Sequence, residues 1–564
     1  MMIEEEEILA EECRRAGQQV DDEVDNVRAY LEDMMDEVTQ LKAAGGKASS
    51  EACLKAAMVQ EEPDYERLLQ ELDGDLEVVH TVPLQQVRAA LDQWREALEK
   101  EVTQLLDGTL RPMPIDRAKQ MEAQGLLKLV QSKGVFTLKP PQVKGKKVRR
   151  KFRLVLCGNQ VDRDDETFSL YASGVSADTV RLALAYASHK RWYGGTSDVT
   201  GAFLLASWPD HLARYAIFPP RVLIDAGLAR GDEVWEVMRP LYGLRESPAI
   251  WAKCRTQRLK EARISFQGRT IVLKQSSADS EIWLAFDEDD VLRWTYRNRY
   301  LGMEIQQRPD FAFELSQEGY IRELLRSYGM EDALSTKLPC PREWLAGDDS
   351  EEENYTMAEL KQGQKAVGEQ LWLMMRCRPD LQFPVAYMAS KVSKCPNRVV
   401  QIAKRLLAYL KTTASMKMVI GSKADNEFQQ TTPELVAWSD ASFSPSGEKS
   451  FGASVVTVNG YPVAWKASKQ AFVTLSVMEA VLLEASTSTT RLENIGCLLD
   501  ELVGAHVPRR LLVDNASAVA MIAGGPGSWR TRHLKVRSAK IREQVENLEL
   551  LVEHVGGTGQ LADL

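Results

Sequence analysis

The stretch VAWSDASF at 436–443, read with SFGASVVTVNGYPVAWKA at 450–467, decides the fold of this chain. Alternation in the first predicts a strand carrying Asp440, and the Asn459-Gly460 pair in the second predicts a hairpin turn between two further strands. A helix follows over 474–502. Val477, Val481, Leu482, Ala485, Leu492, Ile495 and Leu498 recur at helical steps, and its first turn holds Glu479. RRLLVDNASAVAMI at 509–522 reads as a buried strand ending at Asp514, then a helix opened by Asn515 or Ser517. RTRHLKVRSAKIREQVENL at 530–548 is a further helix, LELLVEHV at 548–555 a last strand, and GTGQLADL at 557–564 a tail. Meander, helix, strand, helix, strand is a mixed α/β order.

Outward from this tail, 564 residues at 44% hydrophobic and 27% charged have the composition of a globular chain. That length predicts about three or four domains with cores that need no staples. The eight cysteines form no CxxC pair, which argues against a zinc ribbon or a secreted disulfide framework and for a reduced, intracellular setting. No apolar run approaches the roughly 18–20 residues that span a bilayer. The acidic start MMIEEEEILAEE is unlike the basic start of a signal peptide, so neither membrane nor secretion is expected.

Charge is divided unevenly. Residues 1–80 carry 23 acidic and 7 basic side chains, and the rest of the chain sums to +6. Val24, Val27, Tyr30, Leu31, Met34, Val38 and Leu41 predict an amphipathic helix in this acidic head, before the breaker AAGGKASSEA. A second helical stretch runs from Leu84 to the Asp107-Gly108 turn pair. Then KGKKVRRKFRLVL predicts a basic strand with Val148, Phe152, Leu154 and Leu156 at spacings a sheet would bury. Lys146, Lys147, Arg149, Arg150 and Lys151 either face a polyanion or form a solvated hairpin end.

Several motifs in the middle fall in a specific order: KFRLVLCGNQ, DETFS at 165–169, SDVTGAFL at 197–204 and LYGLRESPAIW at 241–251. DSEIWLAF at 279–286, RYLGMEI at 299–305, RCRPDLQFPVAYMAS at 376–390 and AKRLLAYLKTT at 403–413 continue it. This series resembles the copia-type retrotransposon reverse transcriptase, and the tail resembles that family's ribonuclease H domain. The resemblance covers roughly residues 84 to 564. It implies an α/β (α+β) chain in which reverse-transcriptase-like fingers and palm span 84–340. A helical thumb or connection spans 341–425, and a ribonuclease H-like mixed sheet with flanking helices spans 430–564. The acidic helical segment, 1–80 and partly disordered, lies outside it.

The resemblance also implies chemistry. In-line phosphodiester hydrolysis uses two magnesium ions held by carboxylates from different elements. Here Asp440 would bridge both, Glu479 and Asp514 would complete one site each, and Asp563 would complete the second with His533 nearby. Strand-end caps, a first-turn acid and a frayed terminus are the structural alternatives for these residues. For polymerisation, Asp198 fits the metal-binding aspartate at a strand end and Phe203 the aromatic that excludes a ribose 2′-hydroxyl. The family's Tyr-Val-Asp-Asp hairpin has no counterpart, because only DEDDVLRWTYRN separates DSEIWLAF from RYLGMEI. A deletion near 290–299 is therefore expected, with Asp289 and Asp290 assigned to a polar turn; their use as substitute polymerase acids is the competing assignment. The implied partners are RNA:DNA hybrid, RNA template and DNA. Two functions stand open: magnesium-dependent ribonuclease H activity without polymerisation, or an inactive nucleic-acid-binding relic.

Overall fold

The structure, a computed structural model, describes residues 64–71, 74, 76, 79–141, 145–158, 170, 174–195, 199–266, 268–289, 292–296, 302–334, 336–341, 355–421, 432–443, 449–524 and 532–563. Contacts divide the chain into Met1–Glu71 and Leu72–Leu564. The described part of the first unit is a short helix, α1 (Tyr65–Glu71), opened by Asp64, whose Oδ1 accepts from the amides of Glu66 and Arg67. The amphipathic helix expected within 24–41 lies outside the described residues.

The second unit begins with β1 (His80–Val82), α2 (Leu84–Ala89) and α3 (Leu91–Leu106). The stretch read as one helix is thus two, broken at Ala90, where φ is −124°. Next come β2 (Leu110–Pro114), α4 (Ile115–Ala123), β3 (Lys128–Val130), β4 (Ser132–Lys139) and β5 (Arg149–Leu156). β5 is the basic strand. It pairs with β4 in the order β1-β4-β5 and buries Phe152, Leu154 and Leu156. Trp94 of α3 meets Phe136 edge-on at 5.4 Å, and Phe136 lies 5.1 Å from Phe152, so aromatic burial fixes which face of this sheet points inward.

The chain continues through α5 (Ala177–His189), β6 (Tyr215–Ile217), α6 (Arg221–Asp225), β7 (Glu233–Val237) and α7 (Ser247–Glu261). Strands β2, β7, β6 and β3 form a second sheet. Four antiparallel strands then make a meander: β8 (Arg263–Phe266), β9 (Arg269–Gln275), β10 (Trp283–Phe286) and β11 (Leu292–Tyr296). After β12 (Glu304–Gln307) and β13 (Phe313–Ser316), the helices α8 (Glu318–Ser327), α9 (Met357–Met374), α10 (Gln382–Lys391) and α11 (Pro396–Thr412) pack together. Helix α9 starts at a capping box, with Thr356 and Glu359 each satisfying the other's backbone amide. β14 (Met418–Ile420) pairs with β13.

The last part contains β15 (Leu435–Ser442), β16 (Phe451–Val458), β17 (Tyr461–Lys469), α12 (Val477–Val503), β18 (Arg509–Val513), α13 (Ala516–Ile522), α14 (Arg532–Glu546) and β19 (Leu550–His554). Its sheet has the order β17-β16-β15-β18-β19: an antiparallel meander joined through the parallel pair β15·β18 to a second parallel pair, β18·β19. The hairpin turn at Asn459-Gly460 has positive φ at both residues, 51° and 78°, as a tight primed turn requires. Alternation along β16 splits the core. Val456 and Val458 join the cluster shared with α12, while Phe451 and Val455 join the α8–α11 cluster. The molecule is a mixed α/β fold with fourteen α-helices among the described residues.

Candidate active site

The polar end of the last sheet is built by register. Ser439 stands opposite Val513 in the parallel pair, so Asp440 and Asp514 follow side by side on neighbouring strands as β18 ends. Asn515 turns the chain there by capping α13, its side chain accepting from the Ala518 amide at 2.9 Å. The third acid arrives from the tail. A 3₁₀ turn over Gly557–Gly559 reverses the chain after β19 and brings Asp563 back to the same end. Burial first, then the nearby charges of Asp514 and Asp563, hold the Asp440 carboxyl above its usual range, against an amide hydrogen bond from Ala441 at 2.7 Å. Asp440 therefore feels the charge of two of the other three acids.

Glu479 behaves differently. Ser476 caps α12 by accepting from the Glu479 amide at 3.2 Å, and the Glu479 carboxylate turns back to accept from the Leu475 amide at 2.8 Å. It is buried in the first helical turn, engaged with the helix start. The His533 side chain lies outside the described residues, although its backbone falls in α14. Asp198, the acid expected for the polymerase site, also lies outside them.

Asp440, Asp514 and Asp563 are carboxylates, oxygen ligands of the type magnesium takes, whereas the Ala441 amide only donates a hydrogen bond to Asp440. Among the described residues, however, no three acidic, imidazole or thiol groups stand close enough to enclose an ion. An ion at this end would have to be held by one or two carboxylates, with water or phosphate oxygens in its remaining positions. A cavity of about 510 Å³ lies elsewhere: Asp178 and Thr179 of α5, the turn at Asp279, and Arg491 and Asn494 of α12 line it, and none of the four acids does.

Phe203 sits in a 3₁₀ turn over Ala202–Leu205, its ring 5.2 Å from that of Tyr242. Arg153 lies over the other partner of this stack, 5.0 Å from the Tyr242 ring centre. Two motifs meet here backbone to backbone. The Leu156 amide donates to the Tyr242 carbonyl at 2.8 Å, and a Cβ at Gly243 would fall 2.0 Å from the Leu156 oxygen. Lys146, Lys147 and Arg149 are exposed, whereas Arg150 and Lys151 are half-buried along β5, with Arg150 5.8 Å from the Trp94 ring centre.

The acids of DEDD occupy the turn between β10 and β11. Arg269 pairs with Asp287 at 2.9 Å and Asp289 at 2.7 Å, and Glu288 accepts from the Thr270 amide. Asp290 lies outside the described residues. These contacts tie the described acids of the turn to β9.

Three residues near these sites escaped the sequence reading. Gln560 contacts Ser439, His554 Nε2 lies 3.0 Å from the Asp514 carbonyl, and Glu484 is buried beneath β16. Gly452, where a Cβ would meet the Glu484 carboxylate at 2.0 Å, was the available signal for the last.

A family profile described as "Reverse transcriptase (RNA-dependent DNA polymerase)" matches residues 126–292. The retrovirus-related Pol polyprotein from transposon RE1 of Arabidopsis thaliana is 26% identical over 90% of this chain and 35% of its own length. That from transposon TNT 1-94 of Nicotiana tabacum is 23% identical over 85% of this chain and 36% of its own. This chain spans about a third of the length of the curated relatives it matches. Among solved structures, LC11-RNase H1 in complex with RNA/DNA hybrid is 15% identical, covering 23% of this chain and 89% of its own, with a TM-score of 0.19. A foamy viral protease-reverse transcriptase in complex with double-stranded DNA is 13% identical, covering 88% of this chain and 86% of its own, with a TM-score of 0.39.

Proposed function

We propose, from the kinship of this chain with the reverse transcriptase and ribonuclease H region of copia-type Pol polyproteins, that its tail cleaves RNA in RNA:DNA hybrids. The observation that carries this is the crowding of Asp440 by Asp514 and Asp563 at the end of the β15·β18 pair. Such crowding costs stability unless a cation is shared among the carboxylates. Magnesium, when bound, would activate a water and stabilise the leaving oxygen. Asp440 would hold the shared position, Asp514 and Asp563 the flanking ones, and Glu479 would join on release from the Leu475 amide. The fingers and palm would bind RNA template, DNA or hybrid through β5 without extending a primer, since the expected acid-bearing hairpin is missing from the sequence. Incubating the full chain with a labelled hybrid, in magnesium or in EDTA, tests the proposal. Metal-dependent cutting lost in Asp440→Asn supports it, and absence of cutting by the wild-type chain rejects it.

A second reading, a nucleic-acid-binding relic without turnover, draws on Glu479. A carboxylate committed to its helix start serves stability rather than metal. Hybrid binding in a mobility-shift assay without cleavage at any magnesium concentration would favour this reading.

A further inference from the structure

One buried side chain bridges the terminal turn to β15. Gln560 is buried; its Nε2 donates to the Ser439 carbonyl at 3.1 Å, and its Oε1 accepts from the Ala562 amide at 3.1 Å. Ser439 is the residue before Asp440, and Ala562 the residue before Asp563. One carboxamide thus links the backbone next to the first aspartate with the backbone next to the last. Its contact on β15 falls where the ladder to β18 stops, at the Ser439–Val513 pair. Beyond it, the Asp563 amide stands 3.4 Å from the Gln560 carbonyl, and Ala562 is itself buried.

We infer that Gln560 is the positioning residue of the carboxylate cluster, fixing the terminal turn so that Asp563 remains beside Asp440. Asp563 lies past the Gly557–Gly559 turn in backbone that belongs to no helix or strand, and a metal-holding acid there needs such a tie to keep its place. The task requires a donor and an acceptor on one short arm. Glutamine supplies both, whereas glutamate lacks the donor and leucine lacks both. Ligand-orienting groups of this type set metal affinity without touching the ion. This inference rests on the cluster being a metal site, as proposed above.

Two measurements on the full chain separate the claims. In EDTA, amide hydrogen exchange of the peptide spanning 556–564 should accelerate at least about tenfold in Gln560→Leu, while peptides from α12 keep their protection. In calorimetric titration with Mn²⁺, Gln560→Leu should weaken binding about tenfold, Asp563→Asn by a similar factor, and the double variant no more than Asp563→Asn alone. If α12 also loses protection in Gln560→Leu, the closer-shaped Gln560→Met replaces it in both measurements. Unchanged terminal exchange overturns the inference. So does an equal loss of Mn²⁺ affinity from Gln560→Leu in the wild-type and Asp563→Asn backgrounds. If the wild-type chain binds no Mn²⁺ while its terminal exchange still depends on Gln560, the metal reading falls and the anchoring of the tail stands.

Discussion

The Arg181 guanidinium lies 3.8 Å from the centre of the Trp465 ring, joining helix α5 to strand β17 across 284 positions of sequence. The same guanidinium donates to the carbonyls of Val463 at 2.7 Å, Met375 at 3.0 Å and Arg376 at 2.7 Å, and pairs with Asp178. Trp465 in turn donates its indole N–H to the Met374 carbonyl at 2.9 Å. The last sheet is therefore fastened to helix α5 and to the end of α9 by a buried polar junction as well as by apolar packing.

Arg181→Met should destabilise the chain by about 3–5 kcal/mol, because it strands a partly buried carboxylate and three carbonyls that the guanidinium now satisfies. Arg181→Lys should recover less than half of that, since one ammonium cannot span the same set of acceptors while stacking on the indole. The midpoint of urea unfolding reads both effects. A shift of under about 1 kcal/mol for Arg181→Met would mean that the junction is dispensable.

Glu484 predicts a pH dependence of defined sign. Burial, opposed by the charges of Arg491 and Lys466 and by the Ser454 hydroxyl, pushes its carboxyl up to about 7. In the unfolded chain it titrates at the ordinary carboxylate value, so between about pH 4.5 and 7 the folded state holds a proton that the unfolded state has lost. Stability should fall as pH rises through that window and level off above it. Glu484→Gln removes the cost, which amounts to about 3 kcal/mol at pH 8 and close to nothing at pH 4. Parallel stability curves for the two proteins across pH 4–8 would refute this account.

Glycine placement gives a sharper steric prediction. At Gly243, φ is +94° and a Cβ would stand 2.0 Å from the Leu156 oxygen, so Gly243→Ala must force apart the two motifs that meet there. Gly227 has φ of +71° but open space around it, so Gly227→Ala should cost only about 1 kcal/mol of backbone strain. Gly243→Ala should cost more than about 3 kcal/mol, to the point of losing soluble protein. Thermal unfolding of the two variants side by side measures the difference.

The sequence was most legible where one period dominates. Alternation with an Asn-Gly turn specified β15 to β17, and the helical step of Val481, Leu482, Ala485 and Leu492 specified α12. Phe152, Leu154 and Leu156, spaced for burial in a strand, are buried. Arg181 and Glu484 were not legible, because a charged residue in a helix reads as a wet face unless partners from distant segments are known. Here those partners are the carbonyls of Val463 and Met375, and the space left by Gly452. Gln560 escaped for another reason: eight terminal residues carry no periodicity, and its two hydrogen bonds exist only once β15 and the tail have met.

The carboxylate cluster should reverse the sign of one mutation according to the metal present. With Asp440 crowded by Asp514 and Asp563, the metal-free chain stores like-charge repulsion, so Asp440→Asn should unfold at a higher temperature than wild type in EDTA. If the proposed site holds magnesium, the ion at ten times its dissociation constant should stabilise the wild-type fold by about 1.4 kcal/mol, and Asp440→Asn should forfeit that gain. The order of the two unfolding midpoints should therefore converge or invert between EDTA and saturating magnesium. An Asp440→Asn chain that is less stable than wild type in both conditions would mean that the carboxylate is a structural strand-end group, held by the Ala441 amide for the sake of the fold.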